Sequence, residues 1–168
     1  MHQTAILEKF AALTEETDEL IIAELTVDEN DQFVLILSCD GRVVGIPAVE
    51  KLYQALPVID NWVVIKYRQA SGFSNFPIDG ISFGEKDLLI QYDYLPDAGK
   101  FDILYFVKGF KEKDERYTMA AFIYLDHCIG EYNSMTKISN VEFKKLGFFT
   151  SRKNLVTLSE FYKILQEH

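Results

Sequence analysis

Hydrophobic residues recur at helical spacing most clearly in residues 116–132, RYTMAAFIYLDHCIGEY. The apolar positions that share one side of such a helix are Ala121, Leu125, Cys128 and Tyr132. A spacing of three or four residues is typical of one face of an α-helix. Further apolar residues leave little of the circumference polar, which predicts a central helix, about 25 Å long, that is buried on more than one side.

Alternation with a period of two predicts the strands. Residues 88–94 and 101–107 alternate in this way on either side of a loop that contains Pro96 and Gly99, which predicts a β-hairpin. The continuous apolar run at residues 33–38 is typical of a strand buried on both faces. Two more strands are expected, at residues 62–68 and 137–146.

The remaining periodic segments predict helices at residues 4–13, 47–56 and 157–166. Pro47 suits the first turn of its helix, because the N–H that proline lacks would have no partner there. The segment 18–25 fits either a helix or a strand. A helix is favoured, because Thr17 can accept a hydrogen bond from an early backbone N–H.

In chain order, these elements predict an α+β fold in a single domain. We expect a twisted, mixed or antiparallel sheet of about five strands, with the long buried helix packed on one face and helices at both termini. Two β-α-β connections are expected to join parallel strands. The parts would be an acidic helical segment at residues 1–30, the sheet and central helix at 33–146, and a closing helix at 155–168.

The charge is distributed unevenly along the chain. Between Phe10 and Gly41 there are nine acidic residues and no Lys or Arg. The other 17 acidic residues match the 17 basic ones, so this quarter accounts for the whole net charge of −9. An acidic face disfavours nucleic-acid binding, since phosphate contacts dominate it, and favours a basic protein partner. A solvated face that keeps the protein soluble is the alternative.

The two cysteines, Cys39 and Cys128, lie in apolar surroundings and form no CxxC motif. Buried free thiols in a reducing compartment are expected, with a disulfide between them as the alternative. The sequence shows no signal peptide and no apolar stretch long enough to span a membrane. We therefore expect a cytoplasmic protein without membrane contact, and no motif predicts a cofactor.

The end of the central helix carries the one tight cluster of reactive side chains. His127 and Glu131 are i, i+4 neighbours, which predicts a general acid/base pair or, with Asp126, part of a metal site. Gly130 would let a ligand approach the backbone. The favoured interpretation is a solvated helix end with a local ion pair and Gly130 as a break. No third metal ligand is evident, so no metal site is predicted.

A second candidate region is the irregular segment 69–80, QASGFSNFPIDG. Its aromatic residues Phe73 and Phe76 either tuck under the loop or bind a partner, and tucking is the favoured interpretation. Arg68, at the end of the preceding strand, is a candidate for holding an anionic group.

Several fragments resemble a group of uncharacterised bacterial proteins. They are DGRVVGIPAVEKL, LPVIDNWVVIKYRQ, YLDHCIGEY and ISNVEFKKL, within residues 33–146. The resemblance implies an intact module and supplies no catalytic residue. In general character, the chain is also similar to bacterial immunity proteins, small acidic α+β proteins that neutralise a toxin by binding it.

Three hypotheses about function follow. The first is a non-catalytic protein-binding module, an immunity-like antagonist of a basic partner. The second is a small hydrolase-type enzyme that uses His127 and Glu131. The third is a structural subunit of an oligomer, whose size the sequence leaves open.

Overall fold

The computed structural model describes residues 19–28, 30–58 and 60–168. About 32% of the described residues are helical and 33% are strand, which confirms the predicted α+β class. The helix predicted at residues 4–13 and the cap at Thr17 lie outside the described residues. The chain forms two compact units, residues 1–68 and 69–168.

The described residues of the first unit form a three-stranded sheet and one α-helix. Its elements are β1 (Ile22–Val27), β2 (Phe33–Ser38), α1 (Ile46–Ala55) and β3 (Trp62–Lys66). The order is β1-β2-β3, with β1 antiparallel and β3 parallel to β2. The predicted parallel β-α-β connection is therefore confirmed, and Pro47 lies in the first turn of α1 as expected.

The helix favoured for residues 18–25 is wrong, because Ile22–Val27 is a strand. All six of its residues pair with β2. The reversal between the strands is held by Asp28, whose Oδ1 accepts the backbone N–H groups of Asn30 and Gln32 at 2.8 and 2.9 Å. This Asx-type turn and the strand pairing outweigh a marginal helical preference.

Gly45 lies in a tightly packed corner of the first unit, in the 3₁₀ turn that leads into α1. The residue is buried, and its φ of −83° is ordinary for any amino acid. A Cβ at this position would lie 2.6 Å from the Cβ of Cys39 and 3.2 Å from the carbonyl oxygen of Leu20. Glycine is therefore required here by space rather than by backbone conformation.

The second unit contains a four-stranded sheet and a small hairpin. The strands are β4 (Pro77–Ile78), β5 (Ile81–Ser82), β6 (Leu88–Leu95), β7 (Lys100–Lys108), β8 (Ile138–Leu146) and β9 (Val156–Thr157). The larger sheet has the order β8-β7-β6-β9. The predicted β6–β7 hairpin is confirmed, and β7 and β8 are parallel, as predicted for the second β-α-β connection.

The single sheet of about five strands is not confirmed, because the described strands divide into sheets of three, two and four. Each strand pairs within its own unit. The long segment between β3 and β6 carries its own short β4–β5 hairpin. Asp79 and Gly80 form the turn of that hairpin, with φ values of 53° and 76°.

Three helices belong to the second unit: α2 (Glu115–Ile129), α3 (Glu131–Lys137) and α4 (Leu158–Glu167). Helix α4 matches the predicted closing helix. Thr157 caps it, since the Thr157 Oγ1 accepts the Glu160 N–H at 3.3 Å and the Glu160 carboxylate accepts the Thr157 N–H at 2.7 Å. No helix in the described part of the chain is long and apolar enough to cross a membrane.

Helices α2 and α4 pack against the four-stranded sheet around one hydrophobic core. Its largest fully buried members are Tyr105, Tyr124, Phe101 and Phe161. The expectation that the central helix is buried on more than one side is wrong, because Met119, Phe122 and Ile123 on its outer face are exposed. The apolar composition of this helix therefore exceeds what its core contact requires.

Candidate functional site

His127 lies half-buried in the last turn of α2. Its ring packs edge-on against Phe76, with 4.5 Å between ring centroids, and its backbone carbonyl accepts the Ser71 N–H at 2.9 Å. Burial lowers the pKa of His127 below its ordinary value, because desolvation penalises the charged imidazolium. The imidazole is therefore predominantly neutral at pH 7.

Gly130 separates the two helices of this region. Its φ of 85° and ψ of 144° are incompatible with a continuing helix. The Gly130 N–H donates to the Asp126 carbonyl at 2.8 Å, and the Gly130 carbonyl accepts the Ser134 N–H at 3.0 Å. Gly130 thus ends α2 and begins α3, so His127 and Glu131 do not occupy successive turns of one helix.

The candidate pair of His127 and Glu131 is divided between two helices, α2 and α3. Glu131, the first residue of α3, is fully buried, whereas Asp126 and His127 are half-buried. The described residues contain no group of three or more His, Cys, Asp or Glu side chains that could hold a metal ion.

The aromatic loop is tucked against the second unit, as the favoured interpretation predicted. Phe76 stacks on Tyr124 at 5.4 Å, and Phe73 contacts the ring of Tyr162 edge-on at 6.1 Å. The Tyr124 hydroxyl donates to the Phe73 carbonyl at 3.1 Å. These contacts make Phe73 and Phe76 part of the structural packing of their own unit.

Arg68 lies in the first unit and is engaged by two acidic residues. Its guanidinium forms ion pairs with Glu24 at 2.6 Å and with Asp40 at 3.0 Å. Both partners belong to the acidic quarter of the sequence. Arg68 therefore neutralises part of that quarter instead of offering a separate anion site.

Both cysteines are buried and neither is in a disulfide, as expected. Burial raises the pKa of the Cys128 thiol to about 12, so the reactive thiolate is scarce at pH 7. Nearby, the fully buried Tyr105 hydroxyl has no hydrogen-bond partner among the described residues. Cys128 is thus a core residue, as its helical position predicted.

The structure gathers three carboxylates that sequence reasoning did not combine. Asp28 and Asp31 lie in the β1–β2 turn, and Asp60 comes just before β3. The Phe33 N–H donates to the Asn61 carbonyl at 3.2 Å, which brings the start of β3 beside that turn. We call Asp28, Asp31 and Asp60 the acidic end of the three-stranded sheet. The acidic quarter was visible in the sequence, but the contribution of Asp60 requires the parallel β2–β3 pairing.

Comparisons with known proteins assign no family. No protein-family model matches the chain, and no curated protein matches it either. The function is therefore argued from the contacts, burial and charge of the described residues.

We expect Phe76→Ala to raise the pKa of His127 towards the ordinary histidine value of about 6.5, because it uncovers the ring. NMR titration measures this directly, since the chain has only three histidines and H127Q identifies the signal. Phe73→Ala is the matched control, because Phe73 lies in the same loop as Phe76 but its ring contacts Tyr162. An unchanged pKa in F76A would show that Phe76 does not desolvate the imidazole.

The lowered pKa of His127 also determines the direction in which the free energy of unfolding changes with pH. The imidazole binds its proton more tightly in the unfolded chain than in the folded one. The contribution of His127 to the free energy of unfolding is therefore fully present above a pH of about 6.5. This contribution is lost as the pH falls through the folded-state pKa of His127. F76A is expected to flatten this dependence.

Proposed function

We propose that the protein is a non-catalytic binding module that takes a basic segment of a partner protein at the acidic end of its three-stranded sheet. The observation that carries this proposal is the set of three carboxylates, Asp28, Asp31 and Asp60, at one end of the sheet. None of the three has an ion pair among the described residues.

The acidic end differs from the opposite end of the same sheet, where Glu24 and Asp40 share Arg68. A partner that bound those two carboxylates would have to displace an existing guanidinium. At the acidic end, no described basic residue pairs with the three carboxylates. Because opposite charges attract most where a charge has no counter-ion of its own, an incoming Lys or Arg is favoured there.

Aromatic and apolar side chains accompany the acidic end. Val27, Phe33 and Trp62 are in register across the three strands and therefore lie on one face of the sheet. The rings of Phe33 and Trp62 are 5.2 Å apart, and Val27 is exposed. Aromatic rings beside carboxylates suit a guanidinium, which can pair with the acid and stack on the ring.

One of the three carboxylates is held in a fixed position. The backbone hydrogen bonds from Gln32 and Asn30 keep the pKa of Asp28 below its usual range, with Gln32 the larger cause. Asp28 therefore stays ionised over the physiological range. A fixed, charged acceptor loses little conformational entropy on binding, which favours recognition.

The enzyme hypothesis has weaker support. His127 packs on Phe76, and Glu131 is fully buried and therefore inaccessible to a substrate. An antagonist role like that of bacterial immunity proteins, in the cytoplasm, is the form of the binding proposal that best fits an acidic surface. The resemblance of residues 33–146 to uncharacterised bacterial proteins is compatible with it.

The test measures binding of a fluorescent deca-arginine peptide by anisotropy. The variant D28N/D31N/D60N removes three charges, while Asn keeps the Asx-turn acceptor at residue 28 and tolerates the positive φ of 59° at residue 31. The control D93N/D97N/E112Q removes three exposed charges from the second unit. Both variants have the same net charge.

We expect the first variant to weaken peptide binding about tenfold or more, and the control to change it less than about twofold. Binding should also weaken as salt is added. Equal losses in the two variants would show that net charge alone attracts the peptide. No binding by the wild-type protein would end the proposal.

A further inference from the structure

The turn after β8 presents two aromatic side chains almost entirely to solvent. Phe148 is 96% exposed and Phe149 is 95% exposed. Their rings contact each other edge-on at 5.3 Å. Single exposed apolar residues are common on protein surfaces, but two consecutive phenylalanines exposed to this extent indicate an interaction site.

Local hydrogen bonds build the turn that projects these rings. The Thr150 N–H donates to the Gly147 carbonyl at 3.3 Å, and the Gly147 N–H donates to the Thr150 hydroxyl at 2.9 Å. Phe148 and Phe149 are therefore the two central residues of a closed four-residue turn. Their position at the tip makes the surface convex.

Basic residues flank the turn without acidic neighbours in sequence. Between Phe143 and Ser159 the chain has no Asp or Glu. The basic residues in that stretch are Lys144, Lys145, Arg152 and Lys153, and all four are exposed. Among the described residues, only Lys144 of these four has an ion pair, with Glu142 at 3.3 Å. The segment that carries the aromatic tip is therefore itself positively charged.

We propose that this segment, residues 144–153, docks peripherally on an anionic lipid surface. The two phenylalanine rings enter the interfacial layer of the membrane, and the Lys and Arg side chains remain at the level of the anionic headgroups. Aromatic side chains favour the membrane–water interface, and basic residues are attracted to acidic lipids. We call this segment the aromatic–basic turn.

The shape and charge of the turn favour lipid over a protein partner. A protein interface buries its aromatic anchors in a shaped pocket, whereas a fluid interface accepts any convex apolar tip. The net charge of −9 opposes general attraction to an anionic membrane. At physiological salt, interactions between charges more than about 8 Å apart are largely screened. The positive charge of the turn therefore dominates close to the lipid and orients the protein with this turn towards it.

This inference is independent of the proposed basic partner, because the two surfaces share no residue. It also changes one expectation from the sequence. The absence of a membrane contact was expected because no spanning segment was found, but peripheral docking requires none.

The first test is co-sedimentation of the full chain with vesicles of phosphatidylcholine and phosphatidylserine at about 70:30, compared with phosphatidylcholine alone. We expect binding to the anionic vesicles that falls with added salt. F148S/F149S should reduce the partition coefficient about tenfold or more, since it removes both inserted rings. R152Q/K153Q should reduce it about tenfold.

The matched control is V44S/V58S, which removes two other highly exposed apolar side chains, in the first unit. It should change binding less than about twofold. All the substituted positions are exposed, so circular dichroism should show unchanged folding for every variant.

A second measurement places a reporter in the turn. In a Trp62→Phe background, F149W places the single tryptophan in the turn. The fluorescence of this tryptophan should shift to shorter wavelength on anionic vesicles and should be quenched by brominated lipid. Absence of wild-type binding, or equal binding by F148S/F149S, would overturn the proposal. A wild-type dimer that F148S/F149S converts to a monomer, without any binding to vesicles, would also overturn it. The turn would then contact a second copy of the chain.

Discussion

Gly45→Ala is expected to lower the free energy of unfolding by about 2–3 kcal/mol. The added Cβ would lie 2.6 Å from the Cβ of Cys39, far inside van der Waals contact. Neither neighbour can move easily, because Cys39 is fully buried and the Leu20 contact is partly to its backbone oxygen. The backbone itself, with φ of −83°, would accept alanine without strain.

The control for this substitution is Gly84→Ala. Gly84 has a similar φ of −87°, but the nearest atom to its added Cβ is the Asp87 Oδ2 at 3.4 Å, the end of a side chain. G84A should therefore change stability by less than about 0.5 kcal/mol. Trp62 is the single tryptophan and lies in the first unit, so its fluorescence in urea reports the effect of G45A. Equal costs for the two variants would show that the corner at Gly45 can relax.

The strongest sequence patterns predicted the elements that local interactions determine. Alternation around Gly99 predicted the β6–β7 hairpin, and the helical spacing of apolar residues in 157–166 predicted α4. Pro47 marked the first turn of α1. In each case, the residues that specify the element lie within it or beside it, so a single sequence contains the necessary signal.

The misassigned elements depend on pairing that the sequence pattern does not show. β1 was ambiguous because its apolar residues fit either period, and its pairing with β2 decided the outcome. The number of sheets depended on which strands share hydrogen bonds, and strand order is not encoded in local periodicity. For the same reason, the acidic end could not be assembled from the sequence, since Asp60 joins Asp28 and Asp31 only through the parallel β2–β3 pairing.

The candidate site depends on how Gly130 acts in the chain. The favoured interpretation had Gly130 as a break, whereas an acid/base pair of His127 and Glu131 required one helix to continue through glycine as a weak point. The sequence signal for a break was present in Gly130, but an isolated glycine inside an apolar helical pattern is often tolerated. Its φ of 85° converts that weak point into a change of direction between α2 and α3.

Gly130→Ala is expected to lower the free energy of unfolding by about 2–3 kcal/mol, because a positive φ with an extended ψ is essentially restricted to glycine. Gly99→Ala is the control, since Gly99 also has a positive φ, of 63°, but lies in an exposed turn with open space around its Cβ. We expect G99A to cost about 1 kcal/mol. Urea unfolding followed by circular dichroism compares the two.

G130A also tests whether the bend at residue 130 keeps His127 and Glu131 from occupying successive turns of one helix. Alanine favours a continuous helix, and straightening the chain at residue 130 would place His127 and Glu131 on adjacent turns. The buried position of Glu131 opposes this, because its carboxylate would have to leave the interior. We therefore expect the backbone to stay bent and strained, with the pKa of His127 still below its ordinary value. A small stability loss together with a raised pKa of His127 would instead mean that the helix had straightened and that the pair predicted from the sequence had formed.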